Sequence, residues 1–165
     1  MSNAKQLPLQ SLLQIMLESL KQKYDMLCEI ELKSKEQSDL ILNPDVSLEA
    51  IDQNMSEKGE LIEKLIKLDR GFEALYDNVR KELVLHKDEH KELIAQIQQS
   101  VTLVMEKSAS IEAIEARNKA AIEIIFRNRR KELQHRKAAS IVARQYYKAA
   151  KKLDHVTPQF LDKKK

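Results

Sequence analysis

Glycine and proline are scarce in this chain, two and three among 165 residues. From Phe72 to Thr157 neither occurs for 86 residues. Without glycine there is no loop to cradle a phosphate, and without either residue little interrupts a helix, so long helices are the favoured conformation for half the protein. Tryptophan is absent and aromatics make up 4% of residues against 33% charged, which excludes a thick globular core and predicts a slim bundle. Cys28 stands alone, so no internal disulfide forms and a reducing cytoplasm is the expected setting. The N-terminal LPLQSLLQIMLESL is interrupted by Gln, Ser and Glu and has neither a basic n-region nor a small-residue cleavage site. It is too short and polar to span a membrane, and a soluble intracellular protein is expected.

What is present is helical periodicity. Pro8 suits a first helical turn, and Leu9, Leu13, Met16, Leu20, Tyr24 and Leu27 follow in steps of three and four. This helix fades through KSKEQSD and ends near Leu42, because Asn43 precedes Pro44 and is pushed to an extended conformation. Asp45 or Ser47 then caps a second helix whose stripe is Leu48, Ile51, Met55, Ile62, Leu65, Phe72, Leu75 and Val79. Gly59 and Gly71 lie inside it, where they mark a bend or a close helix approach. No breaker separates the second helix from the third, and the reversal is assigned to the charged HKDEHK at His86–Lys91. The third stripe runs Leu93, Ile97, Val101, Val104, Ile111, Ile114, Ile122, Ile125 and Leu133, with Glu115 and Asn118 in its gaps. Spacings of 11 from Ile111 to Ile122 to Leu133, and from Ile114 to Ile125, predict straighter packing than a heptad seam.

The predicted fold is all-α: an elongated antiparallel three-helix bundle, coiled-coil-like, with an overlong C-terminal helix. Residues 1–152 form one domain with helices at about 8–42, 47–85 and 90–152, followed by a flexible basic tail, 153–165. The first two helices are about 33 and 38 residues, roughly 50–57 Å, while about 60 residues in the third would reach roughly 90 Å. Either the third helix bends back, or its last part projects with an apolar face uncovered. Ile122, Ile125, Phe126, Leu133, Ile141, Val142, Tyr146 and Tyr147 lie in that part. An uncovered stripe of this size marks a partner surface; a fold-back or a second copy of the chain would make it core.

Charge is divided just as unevenly. Residues 1–116 hold 14 Lys+Arg against 22 Asp+Glu, a balance of −8, and residues 117–165 hold 15 against 4, a balance of +11. The net +3 conceals that polarity. A helix rich in Arg127, Arg129, Arg130, Lys131, Arg136 and Lys137 could bind phosphates by counterion release, but its charges surround an apolar stripe and no base-reading module is recognisable. No specific nucleic acid and no membrane is expected as partner.

Catalytic and metal signals are thin. His86-Lys87-Asp88-Glu89-His90 has the HxxEH form of an inverted zinc-protease motif, yet no downstream acidic ligand motif follows, and a solvated turn cluster is the expectation. Cys28 has no histidine nearby in sequence and reads as a small buried hydrophobe. No cofactor, metal or enzymatic activity is expected.

The leucine-rich first helix, the SLEAIDQNMSEKGELIEKLIKLD segment with Lys58 and Leu65, and IEAIEARNKAAIEII with Asn118 together resemble the FlgN-type flagellar export chaperones. Tyr147 followed by a polar link and Phe160-Leu161-Asp162-Lys163-Lys164-Lys165 resembles the terminal Tyr and F-[IL]-D-K-K ending of clostridial and bacillar members. Gly59, Gly71 and the basicity of the third helix have no counterpart in that pattern. The resemblance implies a cytoplasmic protein that holds the hook–filament junction subunits FlgK and FlgL, masks their helical termini and hands them to the type III export machinery. A client helix would then lie on Ile122, Ile125, Phe126, Leu133, Ile141 and Val142, with Tyr146 and Tyr147 meeting client or export gate. The competing expectation is a structural coiled-coil adaptor that pairs with itself as a homodimer through the same stripe.

Overall fold

A computed structural model describes residues 7–132 and 144–151. Three long helices fold as an antiparallel bundle: α1, Leu9–Leu42, α2, Leu48–His86, and α3, Lys91–Glu132. A fourth, α4, spans residues 144–151. Pro8 sits just ahead of α1 with φ −56° and ψ 147°, and its carbonyl accepts the N–H of Leu12. At the other end of α1, Asn43 is extended before Pro44, and its Oδ1 accepts the Asp45 N–H at 3.0 Å. Val46 then turns inward, 4% exposed, and Ser47 caps α2 by accepting the Ala50 N–H at 3.1 Å. The reversal into α3 is a 3-10 turn, Lys87–Glu89, closed by the His90 N–H donating to the Lys87 carbonyl.

The seam of the bundle is more regular than the apolar residues alone suggest. On α1 the buried side chains include Leu13, Met16, Leu20, Lys23, Leu27, Ile30, Ser34 and Gln37, in steps of three and four throughout. On α2 they include Ile51, Met55, Lys58, Ile62 and Leu65. Three apolar blocks result. Leu13, Met16 and Val79 fill the hairpin end; Leu27, Ile30, Ile62, Leu65, Val104 and Ile111 fill the middle; Val46, Ile51, Met55, Ile122, Phe126 and Tyr146 fill the far end. Burying one such Leu or Ile side chain contributes about 2 kcal/mol, so each block is a substantial anchor.

Polar residues divide these blocks. Lys23 bonds Asp69 at 2.6 Å between the first and second, and Ser34, Gln37, Lys58, Glu115 and Asn118 form a layer between the second and third. Glu115 and Asn118, 8% and 4% exposed, fill the gaps of the α3 stripe from inside the seam. Lys23, not Tyr24, is the buried member of its turn, because Asp69 on α2 receives its ammonium. Neither glycine makes a close approach: a Cβ at Gly59 or Gly71 would meet nothing within 4 Å. Cys28 is half-buried, not fully buried.

A single helix over 90–152 does not describe the chain. Tyr147 donates its phenolic hydrogen to Glu123 Oε1 at 3.0 Å. Twenty-four residues of straight helix would separate them by roughly 36 Å, so α4 has come back alongside α3.

Candidate functional site

The backbones of α2 and α3 each approach α1 closely but not one another. The Cα atoms of α2 and α3 do not come within 8 Å of each other, so a groove runs between these two helices on the side away from α1. Its two halves differ.

At the far end α4 lies against both walls. Tyr146, 2% exposed, packs with Ile51 and Met55 of α2 and with Ile122 and Phe126 of α3. Ala149 is 7% exposed, and Gln145, Lys148 and Ala149 border Met55, Gly59 and Glu63. Tyr147 stays outside, 47% exposed, its ring 6.1 Å from that of Tyr146 and 5.7 Å from the Lys119 ammonium. Its bond to Glu123 holds the phenol pKa above the usual value, because ionisation would set phenolate against carboxylate. Arg129 donates to the Val46 carbonyl and ties α3 to the α1–α2 loop.

This arrangement bears directly on the residues expected to hold a client. Ile122, Phe126 and Tyr146 are core, Ile125 is half-buried, and Tyr147 alone among the described members of the set is exposed. Leu133, Ile141 and Val142 lie outside the described residues. The expected open stripe is therefore corrected at Ile122 and Phe126: α4 covers them. Burial of Tyr146 against both walls removes more apolar area from water than a projecting helix could.

At the hairpin end the groove is open. A cavity of about 350 Å³ is lined by Phe72, Tyr76 and Leu83 of α2, by Ile94, Ile97, Gln98, Val101 and Thr102 of α3, and has Leu13 and Met16 of α1 as its floor. Tyr76, Leu83, Ile94, Ile97 and Val101 are half-buried, and no lining residue carries a charge. Sequence reasoning assigned Phe72, Ile97 and Val101 to core stripes and did not find this groove, because a stripe shows which face turns inward but not whether a third helix closes over it.

Between the halves lies the polar layer. Glu115 Oε1 accepts from the Lys58 ammonium and from the Ser34 hydroxyl, both at 2.6 Å, and Lys58 also donates to Gln37 Oε1 at 3.0 Å. Asn118 Nδ2 donates to the Ser34 carbonyl at 2.8 Å and to Gln37 Oε1 at 3.1 Å, and the Ser38 hydroxyl donates to Asn118 Oδ1 at 2.7 Å. All three long helices are joined by one connected network. Burial pushes the Lys58 pKa below its ordinary value, and Glu115 only partly opposes this. Lys23 is lowered for the same reason, with Asp69 opposing.

The His86 and His90 pair has no such enclosure. His86 Nδ1 is 3.3 Å from Glu89 Oε1, with both side chains at least half exposed. Among the described residues no group of three or more His, Cys, Asp or Glu side chains is placed to hold a metal ion, and no helix is long and apolar enough to cross a membrane. The hairpin-end groove offers apolar surface. No protein-family model, curated protein or solved structure matches this chain.

Proposed function

We propose that this protein is a helix-binding chaperone of the FlgN type. In this reading it is a cytoplasmic binding protein without catalysis, which holds hook–filament junction subunits by an amphipathic terminal helix before their export. The observation that carries the proposal is α4 itself: a helix of this chain described over 144–151, with Tyr146 and Ala149 inward, lying across α2 and α3. The bundle thus accepts an amphipathic helix in its α2–α3 groove, which is the form a client terminus takes. The resemblance of IEAIEARNKAAIEII and of the FLDKKK ending to the family supports the same assignment.

Purified junction subunits of the FlgK and FlgL kind, titrated into the full chain by calorimetry, test it. A saturable complex that disappears when the subunit's terminal helix is deleted is the expected result. Absence of binding to every junction subunit of the source organism would refute the proposal. Light scattering on the free chain bears on the competing adaptor role, for which a concentration-independent dimer is required.

A further inference from the structure

We propose that the outer face of the last turns of α3 is a docking surface for a short acidic segment of a partner protein, separate from the α2–α3 groove. From Arg117 to Glu132 this helix carries the cations Arg117, Lys119, Arg127, Arg129, Arg130 and Lys131 against the acids Glu123 and Glu132. Two of the cations are engaged within the fold: Arg129 donates to the Val46 carbonyl, and the Lys119 ammonium lies over the Tyr147 ring. The rest have no such use. Among the described residues no ion pair involves a cation later than Lys107, and Arg117, Arg127, Arg130 and Lys131 are all exposed. Helical spacing sets Arg117, Ala120, Ile124, Arg127 and Lys131 on one face in steps of three and four, and every one of them is exposed. The return of α4 adds Arg144, Lys148 and Lys151 to this end of the bundle, exposed at i, i+4 and i+7, with no acid on that helix.

Charge and size select the occupant. Like charges left unneutralised repel one another, and an anionic partner relieves that repulsion, with guanidinium groups taking carboxylates by two hydrogen bonds at a time. From Arg117 to Lys131 the face is roughly 21 Å long. Towards the hairpin the surface of α3 turns acidic, at the exposed Glu112 and Glu106. A short acidic helix or loop fits the cationic stretch, whereas a nucleic-acid strand running on along α3 would meet those carboxylates. The face also has no aromatic ring on which a base could stack. A membrane surface would find a single large apolar side chain there, Ile124, 54% exposed, which is too little to insert. To a protein segment the same isoleucine, beside the small Ala120, offers an apolar contact in the middle of a cationic frame. A second copy of the chain is a poor occupant, because exposed acids of the bundle sit among lysines, as Glu18 with Lys21 and Glu36 with Lys33.

The triple variant Arg117→Glu/Arg127→Glu/Lys131→Glu tests this, since all three side chains are exposed. Lys64→Glu/Lys67→Glu/Arg70→Glu, exposed on α2, is the charge-matched control. Should the reversed charges disturb the fold, seen in urea unfolding, Arg117→Gln/Arg127→Gln/Lys131→Gln takes their place. The probe, titrated into the full chain by fluorescence anisotropy, is a labelled helical peptide with a central leucine flanked by glutamates. The same peptide with lysines for glutamates and a single-stranded oligonucleotide are the comparison probes. The acidic peptide should bind the parent and the control alike, more weakly as salt is raised, and at least about tenfold more weakly to the triple variant. The lysine peptide should not bind. A parent that ignores the acidic peptide, or an equal loss in the triple variant and the control, overturns the surface. An oligonucleotide held more tightly than the peptide and released by the same triple variant places nucleic acid on this face and overturns the protein partner. A parental dimer in light scattering that the triple variant dissociates overturns it in favour of a second copy. No junction subunit enters these titrations, so failure here leaves the chaperone reading standing, and failure of that reading leaves this surface standing.

Discussion

At the end of the bundle where α2 begins and α3 finishes, Tyr146 closes over Ile51, Met55, Ile122 and Phe126, and all five are 4% exposed or less. At the hairpin end the same two helices line a cavity of about 350 Å³, where Tyr76, Leu83, Ile94, Ile97 and Val101 stay half-buried. The contrast does not come from composition, since both walls are Ile, Leu, Met, Val and aromatic side chains. At the far end α4 lies against both helices, while in the middle Ile62, Leu65, Val104 and Ile111 are buried against α1 without it. Between the two ends lies the Lys58 layer, which joins α1, α2 and α3.

Removing the divider should have the largest effect. Lys58→Met leaves Glu115 buried without its ammonium, and a loss of about 4 kcal/mol in urea unfolding is expected. Lys58→Met/Glu115→Leu should recover most of it. If the single variant is as stable as the parent, the layer does not hold the ends together.

The comparison of ends sharpens with paired truncations. Phe126→Ala at the covered end should cost about 3 kcal/mol, whereas Ile97→Ala at the open end should cost only about 1 kcal/mol, because its side chain is half solvated already. Equal losses by denaturant titration would mean that the hairpin-end groove is closed in solution.

Gly59→Ala and Gly71→Ala each act on α2 without touching a neighbour, since a Cβ at either site meets nothing within 4 Å. Each should raise stability by about 0.5–1 kcal/mol, read as a higher thermal midpoint. A loss at Gly59 alone would show that α4 sits closer to α2 than this structure places it.

The smallest expected effect is on pH dependence. Burial lowers the pKa of Lys58 in the fold, so between that lowered value and 10.5 the unfolded chain holds more protons than the folded one. Stability from this group therefore rises with pH across that window, as the penalty of a buried ammonium is relieved. Measured from neutral pH to about pH 10, the parent should gain stability relative to Lys58→Met/Glu115→Leu. A constant difference between the two proteins would contradict the lowered pKa.

Much of the fold is legible in the residues themselves. The Asn43-Pro44 stop, the Ser47 cap and the steps of three and four along α1 and α2 follow from local backbone sterics and helical geometry. The polar layers were legible only in part. Lys23, Ser34 and Gln37 continue the α1 seam at its own spacing, and Lys58 and Glu115 do so on α2 and α3, but a reading by residue type assigns such side chains to the surface. The signal was in the spacing, not in the residue types.

The open groove and its covered half were not legible. No glycine or proline lies between Glu132 and Arg144, so nothing in that stretch announces that the chain returns. Helix length left open whether the stripe at Ile122 and Phe126 projected uncovered or was folded over, and the docking of Tyr146, a long-range contact, decided it.

Periodicity and the lack of breakers act within a few residues of one another, and they suffice to make this a protein of long helices with apolar seams. Which face is core and which is groove is settled by contacts between helices. That depends on whether a fourth helix lies across α2 and α3, and the free energy of that placement belongs to residues more than twenty positions apart.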